Sequence, residues 1–443
     1  MGIINRDGIA VPVSAETGGD TMDHLEGFLT FAEQSPTAFH STAHFTEMLR
    51  QGGYRELKET DPWLVDAGGK YFVTRNESAL IAFSVPESGF NPFRITAAHG
   101  DSPAFKLKTF FEDRTAEGYT RLNVEKYGGM IMSSWLDRPL SVAGRLVIRE
   151  GEGIASRLVN LDRDAVLIPN MPIHFNRDIN NGYSYDPQTD LLPLYAWGED
   201  SGSLMNELAE AAGVQPEDVI AHDLFLYSRQ SGSVWGAGDA FFSCQRIDDL
   251  ECAYAAVAAL LDSTARETIN VCAVFDNEEV GSTTRQGADS NFLYDTLTRL
   301  GFALGASDGE IRAAMAGSFM VSADNAHAVH PNHPDKYDKQ NRTWMNQGIV
   351  IKHNANQKYT TDAISSARFQ RICEKAGVPV QHFANRSDIA GGSTLGNISN
   401  SHVSMETVDI GLAQLAMHSV CETAGVKDLD YLIQALKTFW SEE

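Results

Sequence analysis

The sequence predicts an α/β protein in which a mainly β module interrupts a larger α/β domain. After residue 240, short apolar runs typical of strands alternate with segments of helical periodicity, which favours a sheet with parallel strands. Between residues 109 and 236, strand-like pieces instead alternate with close turns such as Gly128-Gly129. Candidate chemistry lies on both sides of that stretch. We therefore expect a catalytic domain split into residues 1–108 and 237–443, with an inserted β-rich module over 109–236.

The individual elements follow from the spacing of apolar residues. Six runs are β-rich or alternate in polarity and are predicted to be strands: Phe93–Ala98, Leu146–Arg149, Ile269–Phe275, Phe319–Ser322, Ile349–Lys352 and Val378–Phe383. Two segments carry apolar residues at helical spacing and are predicted to be helices: Asp249–Leu261, and Leu412–Thr423 ahead of Gly425.

Composition limits the classes of function. The chain has 443 residues, enough for two or three domains, and its 43% hydrophobic content excludes disorder as the main state. Its 35 basic and 59 acidic residues give a net charge of −24. A nucleic-acid reader needs a basic face, and so does a protein that binds anionic membranes. The charge therefore argues against both kinds of partner.

Cysteine usage and apolar run length predict a cytoplasmic protein. The five cysteines are odd in number and show no CxxC spacing, which fits reduced thiols better than a disulfide framework. The longest apolar run, Cys252–Leu261, has about half of the ~20 residues that a membrane span requires. The segment Met1–Ala10 lacks the apolar core of a signal peptide.

The first candidate motif is a β run that ends in His99-Gly100-Asp101. A histidine that binds a metal needs its second ring nitrogen held by an acceptor, and Asp101 could supply one. A solvated histidine in a surface turn fits these residues equally well.

The second motif is an apolar strand that runs into Asp276, Glu278 and Glu279. Repulsion among these acids disfavours their burial unless cations offset it. In a turn at the strand end, one glutamate could bind a metal while its neighbour faces the water. The alternative is a solvated acidic loop.

Three further segments supply single candidates. Asp324 lies in a segment with three histidines at spacings of three, namely His327, His330 and His333. His418 falls in a predicted helix, and Asp248 precedes another, where it could simply be an N-cap. Together the motifs offer two histidines and three or four carboxylates. A site with two metal ions needs about this set: a bridging carboxylate, terminal ligands and a free carboxylate as general base.

Six motifs in order make the sequence resemble the aspartyl aminopeptidase / vacuolar aminopeptidase-I family of dinuclear zinc aminopeptidases. They are His-Gly-Asp-Ser-Pro (99–103), Arg-Ile-Asp-Asp (246–249), Asp-Asn-Glu-Glu-Val-Gly-Ser (276–282), Ser-Ala-Asp-Asn-Ala-His-Ala-Val-His-Pro-Asn (322–332), Gly-Gly-Ser-Thr-Leu-Gly (391–396) and Gln-Leu-Ala-Met-His-Ser (414–419). The resemblance runs over nearly the whole chain. It implies a phosphorylase/hydrolase-like mixed-sheet catalytic domain and an inserted dimerisation or lid domain.

The resemblance also implies a role for each residue of the site. His99 and Asp324 would be terminal ligands of one zinc ion. Glu279 and His418 would hold the other zinc, and Asp248 would bridge the two. As catalytic residues, Asp101 would orient His99, and Glu278 would be the general base for a hydroxide that bridges the two zinc ions. Cobalt or manganese could substitute for zinc.

The same resemblance implies peptide substrates and assembly into a homo-oligomer, a dodecamer built from dimers. His174 falls where the family sends a histidine into the active site of the neighbouring subunit. Lys352, Gly392 and Ser393 are the other residues expected to bind substrate. Members that prefer an acidic first residue carry a further lysine, for which this chain has Gln347. The preference between acidic and neutral first residues therefore stays open.

Two other functions remain as alternatives at this point. A carboxypeptidase or N-acyl-amino-acid deacylase of the related dizinc type would use a similar set of ligands. An inactive assembly or cargo protein could keep the fold, although such a protein would not need to keep five candidate ligands and Glu278.

Overall fold

The computed structural model describes residues 3–4, 10–11, 21–198 and 202–441, with side chains described from residue 24 onward. Its helices are α1 Thr21–Gln34, α2 Ala38–Gln51, α3 Leu204–Ala211, α4 Ile247–Leu261, α5 Phe292–Ala303, α6 Asp308–Ala316, α7 Ala363–Ala376, α8 Leu395–Ser399 and α9 Asp428–Ser441. Its strands are β1 Ile3–Ile4, β2 Ala10–Val11, β3 Arg55–Leu57, β4 Lys70–Arg75, β5 Ala79–Ser84, β6 Phe93–His99, β7 Ala104–Arg114, β8 Tyr119–Tyr127, β9 Pro139–Glu150, β10 Gly153–Asn160, β11 Val166–Leu167, β12 Leu194–Trp197, β13 Val219–Ser228, β14 Ser233–Trp235, β15 Phe241–Cys244, β16 Ile269–Phe275, β17 Phe319–Ala323, β18 Ala326–His327, β19 Ile349–His353, β20 Val380–Ala384, β21 Glu406–Gly411, β22 Ala413–Leu415 and β23 Glu422–Gly425.

The largest sheet has nine strands in the order β20-β19-β21-β17-β6-β16-β5-β4-β3. Its central strands β21, β17, β6 and β16 are parallel, whereas β19 and β5 run antiparallel to their central neighbours. Parallel strands present their carboxyl ends at one edge of the sheet, which is where open α/β sheets bind ligands. The ends of β6, β16 and β17 therefore converge.

Helices cover both faces of this sheet, because its central strands are apolar on both sides. Every residue of β16 and β17 is buried. One face packs with α1, α2, α4, α7 and α9, and Phe28, Phe45 and Phe369 lie in that core. The other face packs with α5, α6 and α8 around Phe83 and Phe292. The sheet is thus the middle of three layers, as strand–helix alternation predicts.

The stretch from β7 to β13 forms a closed β-barrel. Its strands pair in the order β10-β9-β11-β12-β8-β7-β13, and β13 pairs back onto β9 to close the ring. Phe105, Leu122 and Leu140 lie in its core. The strands of the barrel lie between residues 104 and 228, so the insertion is mainly β as expected. The domain boundaries at 109 and 236 stay a prediction.

A five-stranded sheet, β14-β15-β23-β22-β18, corrects one expectation. The predicted helix Leu412–Thr423 is wrong: this segment contains β22, a turn and the start of β23. Ala416 and His418 both have positive φ, at 58° and 67°, which a helix does not allow. β18 and β15 provide pairing partners on either side, so tertiary pairing outweighs the helical spacing.

All but one of the other predicted elements have bounds within two residues of those in the structure; the exception, Leu146–Arg149, is the C-terminal part of the longer strand β9. All six predicted strands lie on strands of the structure, and the predicted helix Asp249–Leu261 corresponds to α4. Across the described ranges, no helix is both long enough and apolar enough to cross a membrane.

Candidate metal centre

The predicted ligands come together at the carboxyl edge of the nine-stranded sheet. His99 is the last residue of β6, and Asp324 directly follows β17. Glu279 lies in a single 3-10 turn just beyond β16. Asp248 is the second residue of α4 and has non-helical backbone angles, while His418 lies in the turn between β22 and β23. Five distant segments of the chain thus meet at one place.

Asp248 lies between the two histidines. Its Oδ1 is 3.4 Å from Nε2 of His99, and its Oδ2 is 3.5 Å from Nε2 of His418. Nε2 of His418 is also 3.3 Å from Oε2 of Glu279. One carboxylate therefore presents an oxygen to each side, which is the arrangement that a bridging ligand needs.

Two groups of side chains are close enough to share a cation. One consists of Asp248, Glu279 and His418, and the other of His99, Glu278 and Glu279; their ligand atoms lie within 4.8 Å of one another. Asp324 is in neither group in the described part of the chain; its Oδ1 is instead 3.0 Å from Nζ of Lys352.

The donor set fits zinc, which binds histidine nitrogen and carboxylate oxygen. Oδ1 of Asp248 and Oε1 of Glu279 are buried and have no hydrogen-bond partner among the described residues. Buried acceptors without a donor are costly unless a cation satisfies them. These two oxygens are therefore where a cation would be expected to bind.

The electrostatics point to the same deficit of positive charge. Burial raises the pKa of Glu278 to about 8 and that of Glu279 to about 7, and neighbouring carboxylates add to both shifts. Burial opposes protonation of His418, but Asp248 and Glu279 raise its pKa to about 11. Without a cation, protons would have to neutralise this site. Zinc would displace those protons, so we expect tighter binding at higher pH.

Asp101 connects the two strand-end motifs. Nδ1 of His99 lies 3.1 Å from the main-chain oxygen of Asp101, and 3.4 Å from its Oδ1. The main-chain carbonyl is therefore the nearer acceptor for the ring. The carboxylate accepts hydrogen bonds from the backbone N–H groups of Glu278 and Glu279, at 3.1 and 3.2 Å, and from the hydroxyl of Tyr127 at 2.6 Å.

Glu422 holds the two segments that carry the candidate ligands Asp248 and His418. This buried carboxylate accepts the backbone N–H of Asp248 at 3.0 Å and that of His418 at 2.6 Å. Lys352 holds Asp324 in a comparable way: its buried ammonium contacts the Asp324 carboxylate and also donates to the carbonyl of Asn325 at 2.9 Å. Such contacts set the orientation of the residues that touch a metal.

The remaining predicted residues lie apart from these groups. His174 is exposed in the long loop between β11 and β12, flanked by Ile173 and Phe175, which are 52% and 83% exposed. Gly392 and Ser393 are exposed in the loop before α8. The three histidines that the resemblance set aside, His327, His330 and His333, are absent from both metal-binding groups of the described chain.

Sequence reasoning missed Tyr127, Gly128 and Glu422. Gly128-Gly129 gave only a turn signal, and the contacts of this pair are with residues more than a hundred positions away. Glu422 fell within the wrongly predicted helix Leu412–Thr423, so nothing suggested that it faces the site. Recognising β22 and β23 as a hairpin, in which Leu415 pairs with Thr423, would have placed Glu422 one residue beyond that pair and close to His418.

The three-layer α/β domain, the barrel insertion and the histidine–carboxylate donor set define a metal-dependent hydrolase. The family described as Aminopeptidase I zinc metalloprotease (M18) matches residues 31–440. The chain belongs to this family of zinc aminopeptidases.

Curated relatives and solved structures agree with this assignment. The chain is 42% identical to a probable M18 family aminopeptidase 2 of Clostridium acetobutylicum, over 95% of this chain and 99% of the relative. It is also 42% identical to a protein of the same name from Pseudomonas aeruginosa, with 94% and 97% covered. A chain of the Ape4 and Nbr1 complex matches with a TM-score of 0.90 and 33% identity over 96% of this chain and 87% of that chain. The S. cerevisiae mApe1 dodecamer matches with a TM-score of 0.84 and 28% identity, with 95% and 97% covered.

These findings confirm the expected function. The protein is a metalloaminopeptidase that removes N-terminal residues from peptides, and its fold is the mixed α/β domain with an inserted barrel seen in its relatives.

Proposed function

We propose that this aminopeptidase binds two zinc ions that share Asp248. The supporting observation is the position of Asp248, which presents one carboxylate oxygen to His99 and the other to His418. Asp324 would complete the site on the side of His99, and Glu279 the site on the side of His418. When bound, zinc lowers the pKa of water to about 7 and polarises the scissile carbonyl.

Glu278 is proposed to move the protons of the reaction. It belongs to the group around His99 but is not needed as a ligand in the proposed set. Burial raises the pKa of Glu278 in the metal-free site, whereas two bound zinc ions would lower it, so the carboxylate would be ionised and able to accept a proton in the loaded enzyme. Glu278 would take a proton from the attacking water and deliver it to the leaving amine. Its backbone N–H is held by Asp101, which keeps the turn in place.

A Glu278→Gln variant tests this role. It keeps the size and shape of the side chain but removes the base, so we expect turnover to fall by about 10³-fold or more while zinc content and oligomer size stay unchanged. Unchanged turnover would refute the assignment. A free and an N-acetylated dipeptide, assayed in parallel, separate an aminopeptidase from a deacylase, because the aminopeptidase requires the free amine.

We further propose that the enzyme prefers a neutral first residue. Lys352 is buried, and its ammonium is already bonded to Asp324 and Asn325. It would have to leave these partners to bind a substrate carboxylate. Gln347 supplies no second positive charge. A panel of aminoacyl reporter substrates tests this proposal, with faster turnover of leucyl than of aspartyl or glutamyl reporters as the expected result.

Assembly is proposed to complete the site. The mApe1 relative forms a dodecamer, and we propose the same assembly for this chain. Exposure of His174 between the exposed apolar side chains of Ile173 and Phe175 is consistent with a role across a subunit interface, where it would stabilise the oxyanion of the partner's substrate. His174→Ala should lower kcat without changing zinc content, whereas an unchanged kcat would exclude the role.

A cytoplasmic location is proposed from the cysteines. All five are free thiols, and four of them are buried. Proteins in oxidising compartments more often pair their cysteines.

A further inference from the structure

In the described part of the chain, a short segment of the barrel insertion lies against the candidate metal centre of its own chain. Residues 127–134 leave the end of β8 and lead into a 3-10 turn at Met132–Trp135. We call residues 127–134 the strap. Tyr127, the first residue of the strap, also lines a cavity of about 370 Å³ between the barrel and the α/β domain, together with Asp101 and Asn277. The strap therefore contacts the site beside a cavity that its own first residue helps to line.

The strap begins with a hydrogen-bonded link to both strand-end motifs. The hydroxyl of Tyr127 donates to Oδ2 of Asp101 at 2.6 Å and accepts from Nδ2 of Asn277 at 2.8 Å. Asp101 in turn holds the backbone N–H groups of Glu278 and Glu279. A residue of the barrel thus connects the turn after β6 with the turn after β16.

Its two glycines then pass directly over two proposed ligands. Gly128 has φ +75°, and a Cβ at that position would lie 3.1 Å from Cβ of Glu279 and 3.3 Å from its carbonyl oxygen. A Cβ at Gly129 would lie 3.9 Å from Nδ1 of His418. A side chain at residue 128 would therefore require a shift of a few tenths of an ångström between the strap and Glu279.

The end of the strap holds the turn that carries His418. The backbone N–H of Ile131 donates to the carbonyl of His418 at 3.0 Å. The backbone N–H of Val420 donates to Oγ of Ser134, also at 3.0 Å. The strap therefore forms hydrogen bonds with His418 and with Val420.

We propose that the strap is a positioning element that sets the geometry, and hence the affinity, of the metal centre. The proposal rests on the ligand roles of Glu279 and His418 given above. Glu279 lies in a single 3-10 turn and His418 in a hairpin turn, so no long helix or strand holds either residue. Their positions depend on what packs against them, and the strap is bonded to both segments. The insertion would then serve the site of its own chain as well as contacts between subunits.

A pair of glycine substitutions in the barrel tests the proposal. Gly128→Ala places a methyl group against Glu279. Gly151→Ala is the matched control: Gly151 has φ +61°, so both substitutions impose a similar backbone strain, but a Cβ there meets no described heavy atom within 4 Å. Zinc affinity is measured for each protein by competition with a chromophoric chelator, and oligomer size by native mass spectrometry.

We expect zinc affinity to fall about 10- to 100-fold in Gly128→Ala and to stay at the wild-type value in Gly151→Ala, as for other residues that orient metal ligands. Equal affinities in the two variants would overturn the proposal. If Gly128→Ala does not fold, Tyr127→Phe replaces it with the same expected direction, because it removes only the hydroxyl that holds Asp101. Failure of the ligand assignment is recognised separately, since Glu279→Ala would then bind zinc as tightly as the wild type.

Discussion

Replacing Glu422 by glutamine should weaken zinc binding although Glu422 is not itself a ligand. Each of its carboxylate oxygens accepts a backbone N–H from a ligand segment, Oε2 from Asp248 at 3.0 Å and Oε1 from His418 at 2.6 Å. A glutamine side chain has one acceptor oxygen and one NH₂ donor. Whichever way it is oriented, one backbone N–H then faces another donor.

The magnitude follows from these two hydrogen bonds. Loss of one of these hydrogen bonds costs about 1 kcal/mol, and the buried N–H group that is left without an acceptor costs about 2 kcal/mol more. Burial and the charge of Asp248 raise the pKa of Glu422 to about 8, but both oxygens face donors, and zinc beside Asp248 and His418 would favour the ionised form. The substitution should displace Asp248 or His418. If half or more of the roughly 3 kcal/mol is thereby lost from the free energy of zinc binding, zinc affinity falls about 10- to 100-fold, since 1.4 kcal/mol corresponds to a factor of ten.

The assay is zinc competition against a chromophoric chelator, together with thermal unfolding of the metal-free protein. Glu251→Gln is the matched control, because Glu251 is equally buried but bonds to the side chain of Asn325 at 2.9 Å and not to a ligand amide. A loss of thermal stability in Glu422→Gln with zinc affinity equal to that of the control would refute the reasoning.

Three further predictions follow from the charges around the site. Burial raises the pKa of Glu251 to about 8 from an ordinary value near 4.5, so its contribution to stability is complete below about pH 4.5 and is lost as the pH rises toward 8. Glu251→Gln should remove this loss; the prediction is contradicted if the free energy of unfolding changes with pH in the same way in both proteins between about pH 5 and 9. Lys352→Met leaves the carboxylate of Asp324 without its partner at 3.0 Å, so zinc affinity should fall about 10- to 100-fold, and turnover of neutral and acidic reporters should fall equally. A selective loss of turnover on acidic reporters would instead show that Lys352 binds substrate. Removal of zinc by a chelator should lower the unfolding temperature, because at a free zinc concentration 100 times the dissociation constant each site adds about 3 kcal/mol to the free energy of unfolding. Calorimetric traces that superimpose with and without zinc would exclude a structural contribution of the metal.

The sequence was most informative where a buried strand ends in polar residues. Ile269–Phe275 was predicted with the bounds that the structure has, and the acids after it lie at the site. Here local pattern and tertiary role agree, because a strand buried on both faces is mostly apolar and the acids directly after it are therefore conspicuous. His99 and Asp324 follow the same rule at the ends of β6 and β17.

Residues whose role depends on contacts between distant segments could not be predicted in this way. His418 was assigned to a helix because Leu412, Leu415 and Ala416 have helical spacing, whereas β15 and β18 offer strand pairing that only the folded chain provides. Gly128 has a turn signal, but nothing local indicates that it packs against Glu279. This contact joins the segment after β8 to the carboxyl edge of the nine-stranded sheet, and the sequence of neither segment alone indicates it.

The most direct test of a shared two-zinc centre is the zinc content per chain, measured by elemental mass spectrometry on the oligomer after dialysis against zinc-buffered solution. We predict two zinc ions per wild-type chain, and one or none in Asp248→Asn, in which the oxygen facing one histidine becomes an amide nitrogen. One zinc ion per chain in a fully active wild-type enzyme, or two in Asp248→Asn with unchanged affinity, would contradict the account.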